Sequence, residues 1–359
     1  MISSKRLKSV FLSTSLIFGF TLDVALADFV GIPAVNRQSP TSLNVSWENS
    51  NPVNLYGTDA PSGTIANARL LATETNSHSM TVDDDGVKRQ YFILVDARTN
   101  QTLRTAERLV PLETGSNFRD IGGYEGFGGR HIKWGLIYRS GGTPLLSDSD
   151  LAEVSQLGLK SMVDLRSDDE RVMAPTRILG VNYNAYGYSF RQINVRKTSQ
   201  STGNGSDSYR NFPTLLAPQL RIIFAELLGE EAPLAYNCTA GQDRTGFVTA
   251  MVLSALGVSH DKIVQDYHLS TRYRIPANEM PRIDLAKYPD NPTAQMFARY
   301  QNMPNANSPQ PLVDAQGQAF LEGAFNEIAT NWGSVDNYLH REIGLDAAKL
   351  ARLRQMYLE

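Results

Sequence analysis

Residues 236–246, YNCTAGQDRTG, contain the only cysteine of a 359-residue chain. The preceding residues 233–238, PLAYNC, have the short apolar centre of a buried strand. The following residues 245–258, TGFVTAMVLSALGV, are apolar nearly all round, which is typical of a buried helix. The cysteine is therefore predicted to lie in a loop between the end of a strand and the start of a helix.

A loop in this position is suited to binding an anion. Unpaired backbone N–H groups and the helix dipole attract phosphate, and ligands usually bind at the carboxyl ends of strands in α/β sheets. The same field favours the thiolate form of Cys238. Arg244, six residues later, offers a planar pair of donors that lysine lacks. The spacing predicts that Cys238 attacks phosphorus to form a covalent phosphoenzyme while Arg244 holds the phosphate.

The rest of the loop is predicted to bind the remaining phosphate oxygens through backbone amides. The residues expected to contribute are Thr239, Ala240, Gly241, Gln242, Asp243 and Arg244. Gly241 allows the backbone to turn its amides inward, and Thr245 is placed to hydrogen-bond the sulfur as it leaves. No metal and no other cofactor is expected, because the loop itself supplies the positive potential.

The string CTAGQDRTG resembles the signature loop of the cysteine-dependent tyrosine phosphatases. It is most similar to a bacterial tyrosine and dual-specificity subfamily whose loop reads HCxAGKDRTG. Further motifs of that subfamily follow its order: NFRDIGGY (117–124), GLIYRSG (135–141), GLKSMVDLRSDDE (158–170) and the closing helices (331–359). The resemblance implies a tyrosine-phosphatase-like catalytic domain over 111–359, an α/β fold with a parallel sheet flanked by helices. It also implies hydrolysis of phosphate monoesters, above all phosphotyrosine in proteins.

The resemblance names Asp243 as the acid that protonates the leaving oxygen. The alternative for Asp243 is a structural role in the loop. Asp207, in the Ser/Gly-rich stretch 197–208, is the other candidate acid, since many cysteine phosphatases carry this residue on a mobile loop. Asn237, Arg119 and Asp120 are expected to support the loop without touching the substrate.

Two positions depart from the subfamily pattern and leave alternatives open. Asn237 stands where the family has histidine, so the loop is expected to be formed with a weaker preference for the thiolate. Gln242 replaces a lysine found in members that act on phosphoinositides, which weakens the case for polyanionic headgroups. An inositol polyphosphate or phosphoinositide phosphatase and an inactive phosphate-binding protein therefore remain as alternatives. Retention of Cys238 and Arg244 favours an active enzyme.

Residues 28–110 read as a separate, all-β module. SLNVSW (42–47) alternates apolar and polar residues as a half-buried strand does, and residues 90–109 read as a hairpin with a turn at Thr99–Asn100. A small β-sandwich-like module is predicted here. It either docks a partner or packs beside the catalytic domain.

The first 27 residues are predicted to be a cleaved signal peptide. Three basic residues precede a short apolar run at 10–20, and Ala25-Leu26-Ala27 is a small-x-small cleavage pattern. The run is shorter than the roughly 20 residues that span a bilayer, so we expect a periplasmic or secreted protein with no membrane span after cleavage. A net charge of -3 gives no basic surface for nucleic acid. The expected partner is a phosphorylated protein or a small phosphate ester.

Overall fold

A computed structural model of the chain describes residues 29–194 and 205–359. The predicted signal peptide and most of the Ser/Gly-rich stretch lie outside the described residues. Within the described ranges, no helix has both the length and the apolar character needed to cross a bilayer.

The N-terminal module consists of two antiparallel sheets. Its strands are β1 Ala34–Ser39, β2 Ser42–Ser46, β3 Val53–Thr58, β4 Arg69–Thr75, β5 Ser79–Asp83, β6 Tyr91–Asp96 and β7 Thr102–Ala106. One sheet has the order β1-β2-β5 and the other β4-β3-β6-β7. Val45 of β2 and Trp47, just after that strand, pack against Leu55 and Phe92 of the second sheet in one hydrophobic core. The predicted all-β module is confirmed, and so is the hairpin of β6 and β7.

The second sheet system carries the loop with the cysteine. Its strands are β8 Arg119–Asp120, β9 Ile137–Ser140, β10 Ser161–Asp164, β11 Asn182–Ala185 and β12 Leu234–Asn237. The order is β11-β10-β12-β9-β8, and all neighbours are parallel except β8 and β9. The three central strands, β10, β12 and β9, are fully buried, as expected when helices cover both faces of a parallel sheet. The predicted α/β fold with a mainly parallel sheet is confirmed.

Helices cover this sheet and fill the C-terminal part of the chain. They are α1 Asp148–Ser155, α2 Asp168–Met173, α3 Ser206–Tyr209, α4 Phe212–Leu215, α5 Ala217–Leu228, α6 Asp243–Ala255, α7 His260–Tyr273, α8 Pro292–Gln301, α9 Glu322–Trp332, α10 Val335–Tyr338 and α11 Ala347–Tyr357. Short 3-10 turns occur at Ile65–Asn67, Phe127–Gly129, Phe190–Asn194, Pro276–Asn278 and Leu285–Lys287, and a π-helical turn at Leu339–Ile343.

The position of β12 at the centre of the sheet fixes the site. Asn237, its last residue, is paired with Asp164 of β10 on one side and with Ser140 of β9 on the other. The loop of residues 238–242 follows β12, and helix α6 begins at Asp243. Phe247 and Met251 of α6 are fully buried in the main core. The loop between β12 and α6 is thus anchored to the most buried strand and helix of the domain.

The two modules share a core and hydrogen bonds. Tyr91 and Ala106 of the N-terminal module pack on Trp134 of the catalytic domain. The Trp134 indole Nε1 donates to the Arg104 carbonyl at 3.1 Å. Arg89 forms an ion pair of 3.1 Å with the fully buried Asp120. The N-terminal module therefore packs directly against the domain that carries the site.

Candidate active site

The turn at Gly241 brings the signature loop close to the neighbouring strand β9. Gly241 has a φ of +64°, and a Cβ there would lie 2.5 Å from backbone atoms of Ser140 and Gly141. Only glycine fits both the conformation and the space. Cys238, at the start of the loop, is 1% exposed and has no disulfide partner.

The carbonyl groups of the loop are held on its outer side. The Asn117 side-chain amide donates to the carbonyls of Ala240 at 3.2 Å and Gly241 at 2.8 Å. Arg139 Nη2 also donates to the Gly241 carbonyl at 2.8 Å, and the Gly142 amide donates to the Thr239 carbonyl at 2.8 Å. With three consecutive carbonyls held outside, the loop amides are left for an anion within its curve.

Arg244 is bound along one edge of its guanidinium group. Nη1 donates to Glu170 Oε2 at 2.8 Å and to the Tyr188 hydroxyl at 2.8 Å, and Nη2 donates to Glu170 Oε1 at 2.7 Å. A guanidinium has five N–H donors. These bonds leave the Nε hydrogen and one Nη2 hydrogen, which lie side by side and match two oxygens of a phosphate.

Glu170 is the fixed partner that orients Arg244. Its carboxylate also accepts hydrogen bonds from the Thr239 hydroxyl at 2.5 Å and from the backbone and hydroxyl of Ser167 at 2.9 and 2.7 Å. Burial by itself would raise the pKa of Glu170, but the charge of Arg244 and these hydrogen bonds lower that pKa to about 2. Glu170 is therefore ionised wherever the protein is folded near neutral pH.

A buried charge cluster supports the loop from below. Asp266 of α7 forms ion pairs with Arg139 at 2.5 Å and Arg119 at 3.4 Å. Arg119 Nη1 in turn donates to the Asn117 side-chain oxygen, which orients the amide that binds the loop. Asn117 has a φ of +58°, unusual for a residue other than glycine. Arg119 can therefore support the signature loop, as predicted, by holding the Asn117 side chain that binds the loop carbonyls.

The carboxylate of Asp243 is held by two donors on one oxygen. The Tyr209 hydroxyl donates to Asp243 Oδ1, and Gln242 Nε2 donates to the same atom at 3.2 Å. The Tyr209 and Tyr267 hydroxyls are 2.6 Å apart. The hydrogen bonds seen for Asp243 thus leave Oδ2 for a proton transfer at the site.

The other predicted residues lie in several places. Asp207 is in α3, with its carboxylate 3.7 Å from Nε of Arg210. Asp120 accepts hydrogen bonds from Arg89 of the N-terminal module and from the amides of Gly122 and Gly135 in its own domain, and none of these three donors belongs to the signature loop. Asn237 and Thr245 are fully buried, and the Asn237 Oδ1 and Thr245 Oγ1 atoms have no hydrogen-bond partner within the described residues.

A nearly buried cation, Arg274, lies beside Gln242. Arg274 Nη1 donates to Gln242 Oε1 at 2.6 Å. The same guanidinium forms two hydrogen bonds with Glu279, at 2.7 and 2.8 Å, and both side chains are less than a tenth exposed. The charge of Arg274 is therefore balanced locally, and Arg274 does not add a free positive charge beside Gln242.

Comparison with known proteins gives the same family as the motifs. A model of the tyrosine phosphatase family matches residues 110–359. The chain belongs to the tyrosine phosphatase family. It is 30% identical over 251 residues to a protein of Cupriavidus necator named as a tyrosine-protein phosphatase, covering 66% of this chain and 85% of that protein. The predicted tyrosine phosphatase is confirmed.

Two further relatives are more distant. The triple specificity protein phosphatase PtpB of Mycobacterium tuberculosis is 29% identical over 285 residues, covering 67% of this chain and 96% of PtpB. A tyrosine-protein phosphatase of Nostoc commune is 27% identical over 140 residues, covering 36% of this chain and 46% of that protein.

Several residues that build this phosphatase site were not singled out from the sequence. They are Asn117, Arg139, Glu170, Tyr188, Tyr209 and Asp266. Glu170 had a signal: Ser167 and Glu170 have the S-x-x-E spacing of a capping box, which the start of α2 shows. The others come from remote segments and meet only through the fold. Within the described residues, no cluster of histidine, cysteine or carboxylate side chains could hold a metal ion, and metal independence remains a prediction.

Proposed function

We propose that this tyrosine phosphatase hydrolyses protein phosphotyrosine through a cysteinyl-phosphate intermediate on Cys238. The observation that carries the proposal is the free Nε/Nη2 edge of Arg244 on the loop whose carbonyls are bound on the outside. One phosphoryl group fits between that edge and the loop amides. The Phe190 ring, 5.8 Å from the Arg244 guanidinium, offers an apolar wall for an aryl group.

The first step transfers the phosphoryl group to sulfur. The Cys238 thiolate attacks phosphorus in line, so that an S–P bond forms as the P–O bond to the tyrosine ring breaks. The electron pair of the broken bond stays on the tyrosine oxygen, which takes a proton from Asp243. The loop amides and Arg244 stabilise the charge on the three equatorial oxygens.

The second step returns the enzyme to its starting state. Water attacks phosphorus while the Asp243 carboxylate takes its proton, and the S–P bond breaks with its electron pair on sulfur. The thiolate of Cys238 and inorganic phosphate result. The Thr245 hydroxyl, buried and without another partner among the described residues, supports the leaving thiolate.

The alternatives from the sequence have weaker support. An inositol polyphosphate or phosphoinositide substrate carries several phosphates, and the cation in contact with Gln242 is already balanced by Glu279. A phosphate-binding protein without turnover needs no nucleophile, yet Cys238 is present with a fixed Arg244. Asp207 as the acid is less supported than Asp243, because Asp243 lies within the signature loop itself, whereas Asp207 lies in α3 and forms an ion pair with Arg210.

We also propose that the mature protein is exported to the periplasm or beyond, on the pattern of residues 1–27. The N-terminal module then accompanies the catalytic domain. Its close packing on Trp134 supports a stabilising role more than a free docking module.

The proposed function is tested by turnover of para-nitrophenyl phosphate and a phosphotyrosine peptide in EDTA, with the wild type and Cys238→Ser. We expect full wild-type activity in the chelator and no turnover by the variant, because a hydroxyl in place of the thiolate is a poor nucleophile at this site. Activity that survives in Cys238→Ser would refute the covalent role. Phosphate binding without wild-type turnover would instead favour the inactive binder, and Asn237→His would be the variant to make next.

A further inference from the structure

A small cavity lies directly beside the signature loop. Its volume is about 280 Å³, and Thr239 of the loop forms its inner wall. The other walls come from the segment after α7 and from α8, with Pro276, Met280, Phe297 and Tyr300 among the lining residues. Pockets for drug-sized ligands measure roughly 300–1,000 Å³. The cavity therefore has room for about one side chain.

The lining of the cavity mixes apolar and polar side chains, and the cavity is partly accessible. Met280 is 6% exposed, whereas Tyr300 is 40% exposed at the rim. A substrate side chain that packs on the apolar part of this wall, formed by Met280, Phe297 and Tyr300, gains from burial, since burial removes apolar surface from water.

One charge on the cavity is free to meet a substrate. Glu279 also lines the cavity, but its carboxylate is bound by Arg274 and by the Ser116 hydroxyl. Arg282 at the rim is exposed, and its one described hydrogen bond goes to a neutral amide, Asn302 Oδ1, at 2.7 Å. Among the described lining residues, Arg282 is thus the cation without a carboxylate partner, and it favours an acidic group on the ligand.

The aromatic side chains place this cavity next to the position of the phosphorylated ring. Phe190 is the ring near the Arg244 guanidinium, at 5.8 Å. Phe297 packs edge-on against Phe190, with ring centroids 5.6 Å apart. We therefore expect a phosphotyrosine ring held by Arg244 to lie near Phe190, with the cavity beyond it on the side of Phe297. That is the place of a neighbouring residue of a peptide substrate.

We propose that this cavity is a specificity site for an aromatic or large apolar residue adjacent to phosphotyrosine, with Arg282 pairing with an acidic residue beyond it. The inference rests on the proposed function and deepens it. The substrate class is a phosphotyrosine protein segment with apolar and acidic residues around the phosphorylated position, and not a free aryl phosphate.

The test measures binding, so that it does not depend on turnover. The full chain carrying Cys238→Ser is titrated calorimetrically with two phosphotyrosine peptides of equal length and charge. One has phenylalanine and the other alanine on both sides of phosphotyrosine, and both carry aspartates further out. We expect the phenylalanine peptide to bind about tenfold more tightly, as burial of one large apolar side chain allows.

Variants on the same background locate the preference. Phe297→Ala should bring the ratio of the two dissociation constants close to one, while Leu179→Ala, at a residue 83% exposed and away from the cavity, should leave the ratio unchanged. Arg282→Ala should weaken binding of the aspartate peptide by about two- to fivefold relative to binding of a version with asparagine in place of aspartate. Arg69→Ala in the N-terminal module should leave this ratio of affinities unchanged.

Three results would overturn the inference. Equal affinity of the cysteine variant for the two peptides would show that the cavity does not recognise a neighbouring residue. A Phe297→Ala variant that weakens both peptides equally would place the phosphorylated ring itself in the cavity. If Phe297→Ala leaves the ratio of the two dissociation constants unchanged, the preference for phenylalanine arises at a site other than this cavity. Failure of the covalent mechanism would appear only in the turnover experiment above.

Discussion

Arg244 shows at the residue scale how one side chain is prepared for phosphate. Two of its nitrogens are bound by Glu170 and Tyr188, so the guanidinium plane is fixed before a substrate arrives. Fixing the plane removes most of the entropy that a flexible side chain loses on binding. A lysine has neither the planar geometry nor the second donor at this position.

Arg244→Lys is therefore expected to lower kcat/KM for a phosphotyrosine peptide by about 100-fold, comparable to the loss of a transition-state donor. Steady-state kinetics measure the effect. Arg69→Lys, an exposed exchange in the N-terminal module, is the matched control and should change kcat/KM by less than about twofold. Near-normal activity of Arg244→Lys would mean that charge alone binds the phosphate.

The Tyr209 hydroxyl donates a hydrogen bond to Asp243, the proposed acid. Tyr209→Phe removes the hydrogen bond to Asp243 and is expected to lower kcat for phosphotyrosine peptide by about tenfold, the value of a hydrogen bond to a charged group. The nitrophenol leaving group needs less proton transfer, so para-nitrophenyl phosphate should be affected less.

The contrast between the two substrates separates an acid role from a structural one. Equal losses for both substrates would indicate that Tyr209 only supports the fold of the loop. Tyr186→Phe, at a tyrosine that is 51% exposed, serves as the control and should alter neither rate.

The residues of the site differ in how far they could be predicted from the sequence. Cys238, Arg244 and the glycine turn are close in sequence, so their spacing on a strand–loop–helix pattern carries the chemistry. Glu170 and Tyr209 reach the loop from other segments, and the hydrogen bonds that hold them exist only after the sheet has formed. Spacing predicts the reacting groups but not the residues that orient them.

At the scale of elements, α2 links the fold to the site. Ser167 and Glu170 form a capping box at its N-terminus, so the carboxylate that starts the helix also binds Arg244. The pKa of Glu170 in the folded protein is lowered to about 2, below its usual value of 4.5. The ionised carboxylate thus stabilises the fold above pH 4.5, and this contribution is lost as the pH falls towards about 2.

Glu170→Gln should accordingly be less stable than the wild type at pH 7, with a gap that narrows between pH 4.5 and 2 by roughly 3 kcal/mol. Urea unfolding across this pH range measures the gap. Glu74→Gln, at an exposed glutamate of the N-terminal module, is the matched control. A gap that does not change with pH would contradict the low pKa of Glu170.

The elements themselves were largely predictable from periodicity. The alternation around Val45 and the apolar residues of α6 predicted a strand and a helix where the structure has them. The two-residue strand β8 was not predictable in this way, because Arg119 and Asp120 are charged and are buried through ion pairs rather than apolar contacts.

The whole molecule consists of two modules that share structure. Arg89 of the N-terminal module pairs with Asp120, a fully buried carboxylate of the catalytic domain. Trp134 packs with Tyr91 and Ala106 and donates its indole N–H across the boundary. Removal of one module would leave a buried charge without its partner and expose apolar surface on the other.

We therefore expect one cooperative unfolding transition for the intact chain by calorimetry. Trp134→Ala should lower the stability of both modules together by about 3–5 kcal/mol, as loss of a buried tryptophan does. Trp332→Ala, a partly buried tryptophan far from the boundary in sequence, is a control that should leave the modules coupled. Two separate transitions in the wild type would contradict the shared core.

The central claim is that Cys238 carries the phosphoryl group during turnover. The most direct measurement is rapid acid quenching of the enzyme with phosphotyrosine peptide, followed by mass spectrometry of the proteolytic fragments. Because Cys238 is the only cysteine in the chain, a fragment heavier by one phosphoryl group and fragmenting at Cys238 would have a single assignment. We predict this species in the wild type and its absence in Cys238→Ser. Steady turnover with no phosphorylated Cys238 at any quench time, or with phosphate on another residue, would contradict the account.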